Sequence, residues 1–123
     1  MSKTADLRQL IRTQLNTIAG ESYYRHAPDD AVYPYKTFEL SRSNLGDLAR
    51  DDIDLCIDVW DHATNPKVVE QIADSIEDLF NAANLPQAHI LPTFFRDSRY
   101  PVIEDDKTIQ HIQLHFSVQN YIR

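Results

Sequence analysis

Glycine is nearly missing from this chain: Gly20 and Gly46 are the only two in 123 residues. Phosphate-cradling turns of the Walker or dinucleotide kind need several glycines at fixed offsets, so those loops are excluded. Cysteine is scarcer still. A lone Cys56 closes no internal disulfide, which rules out a disulfide scaffold and suits a reducing cytoplasm. No apolar run approaches the ~20 residues that span a bilayer as a helix. The opening Met1-Ser2-Lys3-Thr4-Ala5-Asp6 has neither the basic nor the apolar region of a secretory signal, so neither a leader nor a membrane partner is expected. Clustered cations are lacking too. Twelve Lys and Arg stand against 19 Asp and Glu, a formal net charge of −7. Each phosphate gripped electrostatically needs a cation, so specific nucleic-acid binding is not expected, although DNA could pass nearby without being held.

What is present describes one soluble α+β domain over residues 1–123: the 42% hydrophobic and 25% charged content is that of an ordinary globular chain. Leu7, Leu10, Ile11, Leu15 and Ile18 form one stripe of a helix over Thr4–Ile18, with Gly20 placed to terminate it. Glu21–Ala31, with Pro28-Asp29-Asp30, reads as a loop. A strand follows within Val32–Leu40, beginning at Tyr35 because Pro34 donates nothing to a ladder. Ser41–Arg50 is polar and longer than a hairpin loop, a candidate arm.

From Asp52 to Trp60 the alternation is strict. Ile53, Leu55, Ile57 and Val59 take one face, and Asp52, Asp54, Cys56, Asp58 and Trp60 the other. Thr64-Asn65-Pro66 starts a helix whose stripe is Val69, Ile72, Ala73, Ile76, Leu79 and Phe80. A strand lies around Thr93–Arg96, and Glu104–Lys107 is a turn. The last strand puts Ile112, Leu114, Phe116 and Val118 opposite His111, Gln113, His115, Ser117 and Gln119. The expected architecture is a four-stranded, mainly antiparallel sheet with both helices packed on one face, the other face showing acids, histidines and glutamines.

Catalytic chemistry finds little support. Asp52, Asp54 and Asp58 share a strand face, but a catalytic pair needs burial to separate its pKa values, and alternation puts that face toward solvent. His111 and His115 lie about 13 Å apart on a strand, too far to share one ion. Acidic neighbours suppress the Cys56 thiolate. No metal, cofactor or catalytic residue is expected. Trp60, the only tryptophan, either packs at a sheet edge or anchors a contact between subunits. Arg96 and Arg99 precede the acidic turn Glu104–Asp106. They make local salt bridges, or they meet the acids of a neighbouring copy in a head-to-tail assembly.

The succession Tyr33-Pro34-Tyr35, an alternating strand ending in Asp58-Val59-Trp60-Asp61, the helix Val69-x-x-Ile72-Ala73-Asp74-x-Ile76-x-x-Leu79, then Arg96-x-x-Arg99 and Ile112-x-Leu114-x-Phe116 resembles the tail-completion proteins of long-tailed bacteriophages and prophages. These are also called tail terminators or head-to-tail joining proteins. The resemblance spans roughly residues 1–122. It implies a non-enzymatic virion component, made in the bacterial host cytoplasm and located in the tail. It further implies a hexameric ring that caps the tail tube, touches the tube protein and presents a surface to the head connector proteins. The resemblance carries over no binding residue. Residue chemistry instead suggests Leu45, Leu48, Arg50, Trp60, Arg96, Arg99 and Asp105 for subunit or partner contacts. Asp52, Asp54 and Asp58 are candidates for a DNA-repelling conduit wall. Other readings are a head-closure part of the same virion, a small acidic metal-dependent hydrolase, and an acidic mimic of DNA.

Overall fold

The computed structural model describes residues 3–44, 50–81, 85, 86 and 89–122. In chain order the elements are α1 (Lys3–Leu15), β1 (Glu21–Tyr24), β2 (Tyr35–Asn44), β3 (Arg50–His62), α2 (Lys67–Phe80), β4 (Ile90–Pro101) and β5 (Ile109–Ile122). The strands lie in the order β1-β2-β3-β5-β4. β1 runs parallel to β2, and the other neighbouring pairs are antiparallel. β3 and β4 therefore run parallel with β5 slotted between them, and α2 makes the crossover.

The α+β class and the two helices on one face are as expected, but the sheet has five strands and is mixed. The added strand, β1, falls inside the segment expected to be a loop. Four residues are too few to display an alternation, and the partners of β1 (Tyr35–Phe38) lie beyond a loop that no local signal bridges.

Period two on the strands and the 3.6-residue period on the helices meet in one core. β3 contributes Ile53, Leu55, Ile57 and Val59, facing Val118, Phe116, Leu114 and Ile112 of β5. Phe38 and Leu40 of β2 sit opposite Ile57 and Leu55. Leu7, Ile11 and Leu15 of α1 and Val69, Ile72, Ala73, Ile76 and Phe80 of α2 close the layer from one side. Phe80 packs its ring 4.8 Å from Phe94 and 5.7 Å from Phe116. Burying a side chain of this size contributes roughly 1.5–3 kcal/mol, so this layer is the main source of stability.

The expected arm shortens, and β4 runs further in both directions than the strand expected around Thr93–Arg96. β2 continues to Asn44 through polar residues such as Ser41, so its link to β3 is residues 45–49. Leu45 and Leu48 lie outside the described residues. Ser41 is polar because it lies on the uncovered sheet face opposite Asp54, not because it belongs to a loop. β4 begins at Ile90 and passes through Pro92. The proline fits because β4 is an edge strand: the Pro92 carbonyl turns outward to accept from the Leu85 N–H at 3.2 Å, so no ladder donor is needed. The stretch from Asp97 onward stays in β4 as far as Pro101. A bulge between Arg96 and Ser98 absorbs Asp97. Residues three apart on a regular strand would face opposite ways. Across the bulge, Arg96 pairs with Phe116 and Arg99 with Leu114, so both arginines join the helix side.

The helix ends also differ in detail. α1 stops at Leu15, and Ile18 packs on the core from the turn beyond it. Gly20 stands after that turn with φ +90°, where an added Cβ would lie 2.7 Å from the Pro34 carbonyl oxygen. Only glycine fits there. At α2 the proline is the cap itself, and Asn65 supplies the missing acceptor by taking the Lys67 N–H at 3.1 Å.

Lys36 lies on the core face opposite Val59 and is wholly buried. Its ammonium donates to the carbonyls of Ile18, Ala19 and Gly20 at 3.2, 2.8 and 2.5 Å, tying the α1–β1 turn to β2. Burial lowers its pKa from 10.5 to about 8, against the pull of Glu21. Between these values the unfolded chain holds a proton that the native chain has released. The Lys36 contribution to stability therefore rises with pH across that window, by at most about 1.4 kcal/mol per pH unit. Denaturant titrations of wild type and Lys36→Met should show the wild type gaining on the variant from pH 8 to 10; parallel curves would contradict this.

Candidate interaction face

The helices cover one side of the sheet, and the other side carries a laid-out set of polar and aromatic side chains. Strand register sorts them into rows. Glu21, Tyr35, Trp60 and His111 form one row across β1, β2, β3 and β5. Tyr23, Thr37, Asp58, Gln113 and Tyr100 form the next. Glu39, Cys56, His115 and Ser98 follow, then Ser41, Asp54, Ser117 and Phe95. The acids, histidines and glutamines expected on this face are there. The row of tyrosines beside Trp60 was not foreseen.

His111 is at the centre. It was expected to be exposed, yet it is 7% exposed. Its ring stacks on Trp60 with centroids 3.6 Å apart and 15° between planes. Nε2 meets Asp58 Oδ1 at 2.6 Å, and Nδ1 meets Glu104 Oε1 at 2.8 Å. The ring donates both bonds only when both nitrogens carry hydrogen. It thereby fastens the β4–β5 turn to the middle strand. Asp106 reinforces that turn by accepting from the Thr108 N–H at 2.9 Å, and Thr108 Oγ1 lies 3.1 Å from His62 Nε2.

Asp58 was expected on the wet side, but its side chain is 19% exposed. Gln113 Nε2 donates to it at 2.9 Å, and Cys56 Sγ lies 3.8 Å away. Burial alone would push its carboxyl up; the hydrogen bonds of His111 and Gln113 and the proximity of His111 outweigh this and leave it below its ordinary value. Cys56 goes the other way. Burial and then Asp58 push its thiol up to about 12, which keeps it protonated and a poor nucleophile. The network continues outward: His115 Nε2 lies 2.9 Å from Gln113 Oε1, and the Tyr100 hydroxyl bonds Gln113 and stands 3.1 Å from His115.

The other expected site residues fall in several places. Arg50 pairs with Asp52 at 3.1 Å on the same strand. Asp54 is exposed on the open face, as is Glu39, which was not among the expected residues, and Asp105 is exposed in the β4–β5 turn. Arg96 and Arg99 do not meet the acidic turn. Arg99 bonds Asp74 at 2.7 Å and Glu77 at 2.6 Å, and Arg96 reaches Glu77 at 3.5 Å, because the bulge turns both toward α2. Burial alone would lower the Arg99 pKa, but the hydrogen bonds it donates to Asp74 and Glu77 hold it above its usual value. Sequence reasoning missed Tyr23, Tyr33, Tyr35, Tyr100 and Glu104. Tyr33 and Tyr35 share parity, a signal that would have placed them together. Their meeting with Trp60 depends on register, which the sequence does not display. Among the described residues, no three His, Cys, Asp or Glu side chains are grouped to hold a metal ion.

The tail completion protein gp17 family matches residues 5–119. Among solved structures, a chain from the virion of a native gene transfer agent (GTA) particle shares the fold, with a TM-score of 0.72 at 16% identity over 87% of this chain and 84% of that one. No curated protein matches. The chain belongs to the tail completion protein gp17 family: it is a structural phage protein, and its place is the virion tail.

His111→Ala would leave Asp58 half-buried without its main partner, a loss of about 2 kcal/mol in unfolding free energy at pH 7. Asp58 titrates below its unfolded value, so its stabilisation is present above that value and is lost as pH falls through the native one. The deficit of the variant in chemical denaturation should therefore shrink below about pH 4. An equal deficit at pH 7 and pH 3 would refute the assignment of that deficit to the contact between His111 and the Asp58 carboxylate.

Proposed function

We propose that this chain completes the growing phage tail and joins it to the filled head, acting by shape and association without making or breaking covalent bonds. The observation that carries the reading is membership of the tail completion family across residues 5–119. The geometry is consistent with it, since Asp58, on the open face, is tied to His111 and Gln113.

The working form is a ring of copies through which DNA passes, with six as the number that the resemblance implies. Its two sheet edges differ: β1 has four residues and β4 twelve. Unlike edges suit head-to-tail contact, in which one surface of a copy meets a different surface of the next. Trp60, Arg50, Asp105 and the 45–49 link with Leu45 and Leu48 are the candidates for these contacts and for contacts with the tail tube and head connector proteins. Arg96 and Arg99 act instead by holding β4 to α2. The conduit wall rests on Asp52, Asp54 and Glu39, since Asp58 is committed to His111. Carboxylates facing a bore repel the phosphate backbone and let it slide.

Tails assembled without the chain should be overlong or headless in electron micrographs; tails of normal length carrying heads would contradict the reading. Binding of the purified protein to portal-bearing heads but not to tail tubes would replace it with head closure. Charge reversal of Asp54 and Glu39 together should slow DNA ejection, and unchanged ejection would remove the wall from the account.

A further inference from the structure

At the end of the open face where β2 begins and β3 ends, aromatic rings gather into a platform. Tyr35 lies 5.2 Å from Tyr33, 6.1 Å from Tyr23 and 6.2 Å from Trp60, centroid to centroid, and its ring stacks with Trp60 at 23°. Tyr33 lies 5.9 Å from His62. Tyr33 is 39% exposed, and its neighbour Val32 is 75% exposed, so solvent reaches this side of the platform.

The surroundings are anionic. Glu21 is opposite Tyr35 in register and exposed. Glu104 is held in place by His111, which lies against Trp60. Burial first, then Tyr33 and Glu104, push the Tyr35 hydroxyl above its ordinary value. Among the described residues, the arginines that stack on a ring, Arg8 and Arg25, both use Tyr24, which faces the core side of β1 beside Phe38. Among the described residues, no arginine or lysine stacks on the platform rings.

We propose that this platform binds an arginine side chain presented by a partner protein, with its guanidinium over Tyr33 and Tyr35, beside Trp60, and its N–H groups toward Glu104 and Glu21. Guanidinium is planar, weakly hydrated and rich in donors, so it stacks on rings while bonding carboxylates; an ammonium is a compact, strongly hydrated charge that stacks poorly. Phosphate backbones are disfavoured by the same carboxylates. The inference concerns the chemistry of the platform and does not depend on whether the partner belongs to the tail or the head.

Trp60 is the only tryptophan, so its fluorescence reports on the platform alone. The test is titration of the full chain with a blocked Gly-Arg-Gly-Arg-Gly peptide, alongside lysine and glutamine versions and the neutral sugar maltotriose. A saturable change in emission is expected, with the arginine peptide binding about three- to fivefold tighter than the lysine peptide. Tyr33→Leu and Glu21→Gln, both at exposed positions, should each weaken it by a similar factor while leaving circular dichroism and melting temperature unchanged. No saturable change, equal affinity for the lysine or glutamine peptide, an equal response to maltotriose, or variants that bind like wild type would overturn the proposal.

Discussion

β3 has a hydrogen-bonded neighbour on each side along most of its length, so every one of its residues is committed to a face. The rest of the molecule follows from that commitment. Ile53, Leu55, Ile57 and Val59 can only look toward the helices, and Asp54, Cys56, Asp58 and Trp60 can only look away. A slip of one residue in register would exchange the two sets and put carboxylates into the core. The penalty for that exchange pins β2 and β5, and through β5 it pins β4.

The open face inherits its order from the same register. Asp58 alone on a solvated strand would be one more surface carboxylate. Here β5 brings His111 and Gln113 beside it, the β4–β5 turn brings Glu104 to the far nitrogen of the same imidazole, and Trp60 covers the ring. These polar contacts join the β4–β5 turn, β5 and β3, so the turn is held by side chains as well as by its own backbone. On the helix side the Asp97 bulge does comparable work. By directing Arg96 and Arg99 the same way, it fastens the long edge strand to Asp74 and Glu77 of α2.

Much of the fold was legible because alternation and helical stripes are local. The strand over 52–60, the helix after Pro66, the final strand and the covered face all follow from spacing within a dozen residues. What was illegible was non-local. β1 is defined only by its partner, and the polar end of β2 looks like a loop until its ladder to β3 is known. Arg96 and Arg99 could not be assigned without the bulge that reverses their parity. The candidate face divides along the same line. Asp52, Asp54 and Asp58 were correctly put together on one side, while their unequal environments, and the meeting of Tyr35, Trp60 and His111, depend on strand pairing.

The proposed function makes the uncovered side of the sheet the working surface, and assembly should then hide part of that side. Hydroxyl-radical footprinting of the free protein and of assembled particles, read by mass spectrometry at Tyr33, Trp60 and Tyr100, addresses this most directly. The account predicts that labelling of these aromatic side chains falls severalfold in the particle. Equal labelling in both states would contradict it.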